Sequence, residues 1–335
     1  MHQCIPLDAP TDWKKALSGI QHAFAHTWEN CYAMHISSGT KTYLYCFETE
    51  KVRIVCPISE RPWGEYIDIV TPYGFSGFVG NDDCDEFPYH WKKFVRDKEY
   101  VCGYIGLNPI FENCTYYKPD QIHQYNSIYV LDLTLSPSEL FANLSTNRKR
   151  QLKDWEKSLA NIVLDKEILT EFFLANYHAF YQSRRASPVY NFSRDTLSFL
   201  ASLDNVVMVG MRGSEKMEAV SVFAHTPDVG EFLFNVSLPE GQRYSATLIW
   251  YGVNYLKSLQ IPLLNLGGGI REGDGVAQFK ERFGAKKLAL KCLKQVYEPE
   301  IYVDLCRQVN ADPNDMTGYF PSYRKPDVSR IPSST

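Results

Sequence analysis

Apolar residues recur along this chain with two spacings, near 3.6 and of 2, and the switches between them mark out an α/β order. Residues 12–25 place Trp13, Leu17, Ile20 and Phe24 near one face of a helix. Strand-like runs follow at 41–47, 51–58 and 65–70. The last leads into Thr71-Pro72-Tyr73-Gly74-Phe75-Ser76-Gly77-Phe78, an aromatic loop punctuated by Gly and Pro. A helix over 85–97 and strands over 100–107 and 127–133 come next. Ser136-Pro137-Ser138-Glu139 supplies an N-cap, a first-turn proline and a capping box, predicting a helix that continues to about residue 158. A strand at 161–164, helices over 166–182 and 193–202, and strands over 206–211, 217–225 and 231–237 follow. The helix 246–259 carries Leu248, Ile249, Tyr255, Leu256 and Leu259 on its apolar side. A short apolar run, 261–266, then ends in Gly267-Gly268-Gly269. Asp274 is placed to cap a helix holding Phe279-Lys280, Gly284 to end it, and residues 287–297 to form a strand. From Asp312 onward the Pro, Ser and Asp content predicts a loose end.

The pattern echoes itself. Glu50-Lys51-Val52 through Gly64-Glu65-Tyr66-Ile67 to Pro72-Tyr73-Gly74 is matched by Glu215-Lys216-Met217, Gly230-Glu231-Phe232-Leu233 and Pro239-Glu240-Gly241, at an offset of 165 to 167 residues. Two copies of one α/β unit account for a chain of 335 residues. The expected division is 1–135 and 136–335, with residues 136–159 as a linking helix.

Composition changes the picture in a few places. Charged residues are 22% and hydrophobic ones 44%, which suits an ordinary globular chain. The net charge of -4 argues against DNA binding and against a broad RNA-binding face. Nine cysteines with no CxxC pair disfavour a disulfide framework or zinc module. With no basic-plus-apolar leader and no run long enough to span a bilayer, a soluble, cytoplasmic protein is expected. His22 and His26 lie at i, i+4 but lack a third ligand nearby, so no metal is expected. The basic run Asn147-Arg148-Lys149-Arg150 is either a solvated helix face or, through Arg148, a contact to an anionic ligand. Phe279 and Phe283, at i, i+4, read as core or as the wall of a site.

Several words of the sequence are more specific. Leu264-Asn265-Leu266-Gly267-Gly268-Gly269, followed after a gap by Gln278-Phe279-Lys280-Glu281-Arg282-Phe283-Gly284-Ala285, resembles the strand–glycine–FKxxFG signature of the Fem-type branch of the GNAT acyltransferase superfamily. That branch comprises peptidyltransferases that add amino acids to peptidoglycan precursors, and their cytosolic acyltransferase relatives. The stretches NLSTNRKRQLKDWEK (143–157), AFYQSRRASPVY (179–190) and DIVTPYGFSG (68–77) are similar to further segments of the same branch. The resemblance spans roughly residues 28–297. It implies two tandem GNAT-like domains, mixed sheets flanked by helices, with the active cleft mainly in the second.

The chemistry implied is attack by an amine on an activated ester or thioester, through a tetrahedral oxyanion that needs a donor aimed at it. On the resemblance, Lys280 takes that electrostatic role and Phe279 packs beside the donor's terminus. Asn235 and Val236 on the strand, with Arg243, Tyr244, Ser245 and Ala246 at the start of the following helix, flank the donor. Acyl-CoA is the favoured donor, although this turn lacks the central Gly of the CoA-binding pattern. Tyr181, Arg184, Arg185, Tyr190 and Arg148 face an anionic acceptor, with Tyr73 walling the same cleft. Asp68, His225 and Asn235 are candidates for the base. The expected activity is N-acyl transfer to an amine of a cell-envelope sugar or peptidoglycan-type precursor, including a lipid-linked one. Aminoacyl-tRNA is a disfavoured alternative donor, and a catalytically silent binding protein is the remaining alternative.

Overall fold

The computed structural model describes residues 1–214 and 216–325. Its strands are β1 (His2–Pro6), β2 (Lys41–Glu48), β3 (Arg53–Trp63), β4 (Tyr66–Val70), β5 (Val79–Gly80), β6 (Cys102–Gly106), β7 (Ile122–Asp132), β8 (Ile162–Val163), β9 (Val206–Arg212), β10 (Met217–His225), β11 (Gly230–Ser237), β12 (Leu263–Gly268) and β13 (Lys286–Val296). They form one mixed sheet in the order β1-β2-β3-β4-β6-β13-β7-β12-β11-β10-β9-β8, with β5 paired to β3.

The order is nearly a palindrome of two similar halves. β3, β4 and β7 begin 164 residues before β10, β11 and β13 (53 to 217, 66 to 230, 122 to 286). In each half an antiparallel hairpin is followed by a helix and a strand parallel to the hairpin's second arm: β4 with β6, and β11 with β12. The internal echo is therefore a structural repeat, although Glu215, where its second copy starts, lies outside the described residues. The halves join through antiparallel β13 and β7. β13 also pairs with β6, and β7 with β12, so each closing strand lies next to the other half.

Helices cover both faces, as the apolar periodicity requires. Ser245–Ser258 packs Leu248, Ile249, Val253 and Leu256 against Phe223, Leu264 and Leu266. On the opposite face Phe173 and Tyr177 of Lys166–Ser183, with Leu197 and Leu200 of Arg194–Ser202, pack against Val220, Val222, Phe234 and Val236.

The structure departs from the sequence reading in three places that matter. The expected helix 136–158 is broken into Pro137–Asn143, Thr146–Leu152 and a 3₁₀ segment, Trp155–Asn161. Leu144 is extended and Ser145 starts a new helix, accepting from the Arg148 N–H while its own N–H donates to the Arg282 carbonyl at 3.0 Å. The expected helix 12–25 stops at Leu17, and an unanticipated helix, Trp28–Ser38, follows. The expected loose end is anchored as far as Lys325: Phe320 and Tyr323 are buried, and residues 326–335 lie outside the described part.

Candidate functional site

β11 and β12 are parallel for only two residue pairs, Gly230 with Leu264 and Glu231 with Asn265, and then separate. The bend is built into β12. The Asn265 side-chain oxygen accepts from the Gly267 N–H at 2.8 Å, and Gly267 has φ of 74°, a left-handed conformation that glycine adopts without strain. A Cβ on Gly268 would lie 2.5 Å from the Ser127 carbonyl oxygen of β7. The glycines thus lead β12 away from β11 and onto β7, opening a gap between two strands whose edges are not paired to each other.

The far end of this bend holds Lys280. Asp274 caps the helix Gly275–Glu281 as the sequence predicts: Oδ1 accepts from the Ala277 N–H at 2.8 Å, and Oδ2 from Ile270 and Arg271 at 2.7 and 2.9 Å. Gly284, at φ 77°, ends the turn. Lys280 Nζ donates to the Gly268 carbonyl at 2.6 Å, which leaves two of its three N–H donors uncommitted to that bond. Burial pushes its pKa down to about 8, against the pull of the Asp274 carboxylate. The helix is braced from beneath by Arg148, which is 3% exposed. Its guanidinium lies 4.4 Å from the Phe279 ring centre and 4.3 Å from that of Phe283, and Nη2 donates to the Phe279 carbonyl at 3.1 Å. Arg148 therefore cannot meet an acceptor; the structure corrects its expected ligand contact to a positioning role.

On the opposite face, the loop 71–78 of the first half lies against the second half. Tyr73 packs edge-on to Tyr190 and Phe192, while Phe75 packs against Ile128, Val130 and Leu290. Tyr181 stacks on Tyr190 with ring centres 5.2 Å apart, and Tyr177 donates to the Tyr190 carbonyl at 2.9 Å. The expected acceptor-side tyrosines thus form one cluster. Burial, with Tyr190 alongside, pushes the Tyr73 phenol well above its ordinary value, so it stays a neutral hydrogen-bonding group. Arg184 and Arg185 are exposed at the end of the same helix, Arg184 lying over the Phe180 ring.

One residue that the sequence reading passed over stands where the strands part. Glu231 is 7% exposed, and its Oε2 has no hydrogen-bond partner. Burial pushes its pKa up to about 7, although the main chain of Ala25 and Phe24 and the Asn265 side chain favour the carboxylate. Its signal was available as an acidic residue opening an otherwise apolar strand, Glu231-Phe232-Leu233-Phe234.

The remaining expected residues are dispersed. Asp68 is wholly buried in the first half; Arg61 donates to Oδ1 at 2.7 Å, and Tyr323 and Arg324 to Oδ2 at 2.9 and 2.5 Å. Its oxygens already hold two cations and a phenol, so it is corrected from candidate base to the centre of a structural ion cluster. His225 is half-buried, its pKa lowered by desolvation, and lines a separate groove with His22 and Asp228. Asn235 accepts from Ser221 Oγ at 3.0 Å, so its side-chain oxygen serves as an acceptor rather than as a base. Val236 is fully buried and belongs to the core. At the helix start, Ala246 is buried, Arg243 lies 3.6 Å from Glu218 and donates to Tyr244 Oη at 2.7 Å, and the Ser245 N–H donates to the Gln242 carbonyl. The 3₁₀ turn Pro239–Tyr244 runs directly into the helix, so its first N–H groups are less free than a bare helix end would leave them. Among the described residues, no group of three or more His, Cys, Asp or Glu is placed to hold a metal, and no helix is long and apolar enough to cross a membrane.

No family model matches the sequence, and no curated protein is similar to it in sequence. Solved structures resemble it in fold. FemX superposes with a TM-score of 0.69 at 7% identity, over 90% of this chain and 98% of its own. A conserved protein of unknown function from Bacteroides thetaiotaomicron gives 0.59 at 10%, covering 88% and 99%. L-PGS from Bacillus licheniformis gives 0.55 at 11%, covering 86% and 92%. At these identities the likeness is one of fold. Joined to the repeated halves and the parted strands, it establishes that this chain has the Fem-type, tandem GNAT-like fold.

Proposed function

We propose that this protein transfers an acyl or aminoacyl group from an activated ester or thioester to an amine, in the gap between β11 and β12. The observation that carries the reading is Lys280, a desolvated cation fixed on the Gly268 carbonyl where β12 bends away. A cation held in that way needs little reorganisation when the carbonyl oxygen becomes an oxyanion. The amine attacks the carbonyl carbon and the C–O or C–S bond to the carrier breaks. The amine's proton passes to Glu231, whose value near 7 suits a base at neutral pH. Arg184 and Arg185, with the Tyr73–Tyr181–Tyr190 cluster, suit an anionic acceptor such as a cell-envelope sugar or peptidoglycan-type precursor, met in the cytoplasm.

An aminoacyl ester is the second reading for the donor. It is favoured by the helix start at Ser245, where the N–H is already bonded to Gln242 and Arg243 lies beside Glu218, which weakens the phosphate cradle that CoA uses. The discriminating experiment offers the full chain acyl-CoAs and aminoacyl-tRNAs in parallel, with an amino-sugar nucleotide as acceptor, and follows the amide product. Transfer from either donor that falls by about 100-fold in Lys280→Ala supports the reading. Transfer unchanged in that variant would remove Lys280 from the chemistry and the reading with it.

A further inference from the structure

A cavity of about 230 Å³ that the proposed reaction does not use lies between the first half and the end of β13. It lies between the helix Phe87–Asp97, the short turns Cys114–Tyr116 and Pro119–Gln121, and the end of β13. Lys92 and Arg96, one turn apart on the helix, and Lys118 beside the turns line it, and no Asp or Glu does. All three cations are exposed, and among the described residues none is held in an ion pair. In a chain of net charge -4, such a grouping runs against the general balance.

The uncharged polar groups on the wall point the same way. Gln295 is 7% exposed, and its Oε1 accepts from both Trp91 Nε1 and Tyr297 Oη at 2.9 Å. Its Nε2 donates to Gln121 Oε1 at 2.7 Å. The Gln295 oxygen is therefore fully taken, and Gln295 and Gln121 keep amide N–H groups for a guest. A cavity lined, among the described residues, by three unpaired cations, with amide N–H groups on its wall and no carboxylate, is complementary to an anion. Position in the fold adds to this. Phe87–Asp97 connects β4 to β6 as Ser245–Ser258 connects β11 to β12, so the cavity flanks the first-half counterpart of the helix beside the reaction gap.

We propose that this cavity binds a phosphate or pyrophosphate group of a small molecule, at a site separate from Lys280. A guanidinium takes two oxygens of such a group side by side, and the lysines act as point charges on the remaining ones. A carboxylate brings fewer oxygens and less charge than phosphate or pyrophosphate, so it engages the three cations less strongly.

The test titrates the full chain with inorganic phosphate, pyrophosphate and, as control, acetate at matched ionic strength, reading thermal shift and tryptophan fluorescence. Saturable binding of pyrophosphate or phosphate over acetate is expected, weakened about tenfold by Arg96→Ala and by Lys118→Ala. Trp91→Phe abolishes the fluorescence change while retaining the thermal shift, and Lys280→Ala changes neither. Because Arg96 and Lys118 are exposed, unliganded melting temperatures of their variants should match the parent and exclude misfolding as the cause. The proposal fails if no phosphate compound outperforms acetate, or if binding survives both cavity substitutions. Survival there with loss in Lys280→Ala would assign the anion to the reaction gap and leave the transferase reading standing.

Discussion

Two desolvated ionisable side chains, one buried and one half-buried, face opposite demands beside the parted strands. Glu231 is held towards its neutral acid and Lys280 towards its neutral amine, in each case chiefly by burial. The proposed chemistry needs the other form of both: a carboxylate to take a proton and an ammonium to meet the oxyanion. Activity is then confined between the two values. A plot of kcat/KM against pH should rise through about 7 and fall through about 8, giving a narrow bell. Glu231→Gln should remove the rising limb along with most of the rate, and Lys280→Arg should carry the falling limb beyond the measurable range. A profile flat from pH 6 to 9 in the parent enzyme would be incompatible with both assignments. Stability follows the same shifts with defined signs. Lys280 binds its proton less tightly folded than unfolded, so the unfolded chain holds more protons between about pH 8 and the ordinary lysine value of 10.5, and the folded state gains stability as pH rises through that window. Compared with the parent, Lys280→Met should therefore lose relative stability on going from pH 8 to 10.5, which paired thermal melts would detect.

At the scale of elements, the helix Gly275–Glu281 places Lys280, and its position depends on a buried arginine from a distant segment. Arg148 lies against the rings of Phe279 and Phe283 and bonds the Phe279 carbonyl, so it fixes both the helix axis and its rotation. Arg148→Ala should cost about 2–4 kcal/mol, through the cavity and the lost cation–π and hydrogen-bond contacts. Its distinguishing effect should be on kcat more than KM, because Lys280 moves while the substrate walls stay. Arg148→Met, which refills the volume, should recover stability better than turnover. Equal recovery of both would reduce Arg148 to a packing residue. The cap at Asp274 and the stop at Gly284 were legible because each rests on neighbours in sequence. The break at Leu144 was not, because the basic run beyond it continues to look helical and the interruption is fixed by Arg282, far along the chain. The helix Trp28–Ser38 escaped for another reason. It buries Asn30, Cys31, Ala33 and Met34 and so lacks a clean polar face to give a periodic signal. Glu231 could be seen as an acid in an apolar strand, but its burial depends on residues 24 and 25 passing over it.

The sheet makes the molecule more of a unit than its repeated sequence suggests. A division at residue 135 falls in the connection after β7, between two copies that share the same order of hairpin, helix and parallel strand. Yet β7 pairs with β12 and β13, while β13 pairs with β6. We propose 1–135 and 136–335 as the two copies, and the pairing fixes what each lacks alone. Residues 136–335 would keep β12 and β13 but lose β6 and β7, leaving one edge of β12 and both edges of β13 unpaired and exposing Leu266 and Leu290 from their buried positions. Residues 1–135 would lose the β13 partner of β6. Either fragment expressed by itself should aggregate or melt without cooperativity, whereas the full chain should unfold in one transition despite its repeat. Co-expressed, the fragments should associate, because the cut leaves every strand intact and falls at the partly exposed Leu135 and Ser136. A monodisperse 136–335 fragment that melts as sharply as the full chain would show that β7 is dispensable. The gap between β11 and β12 would then be formed by the second copy alone, since the bend of β12 would no longer need β7 to receive it.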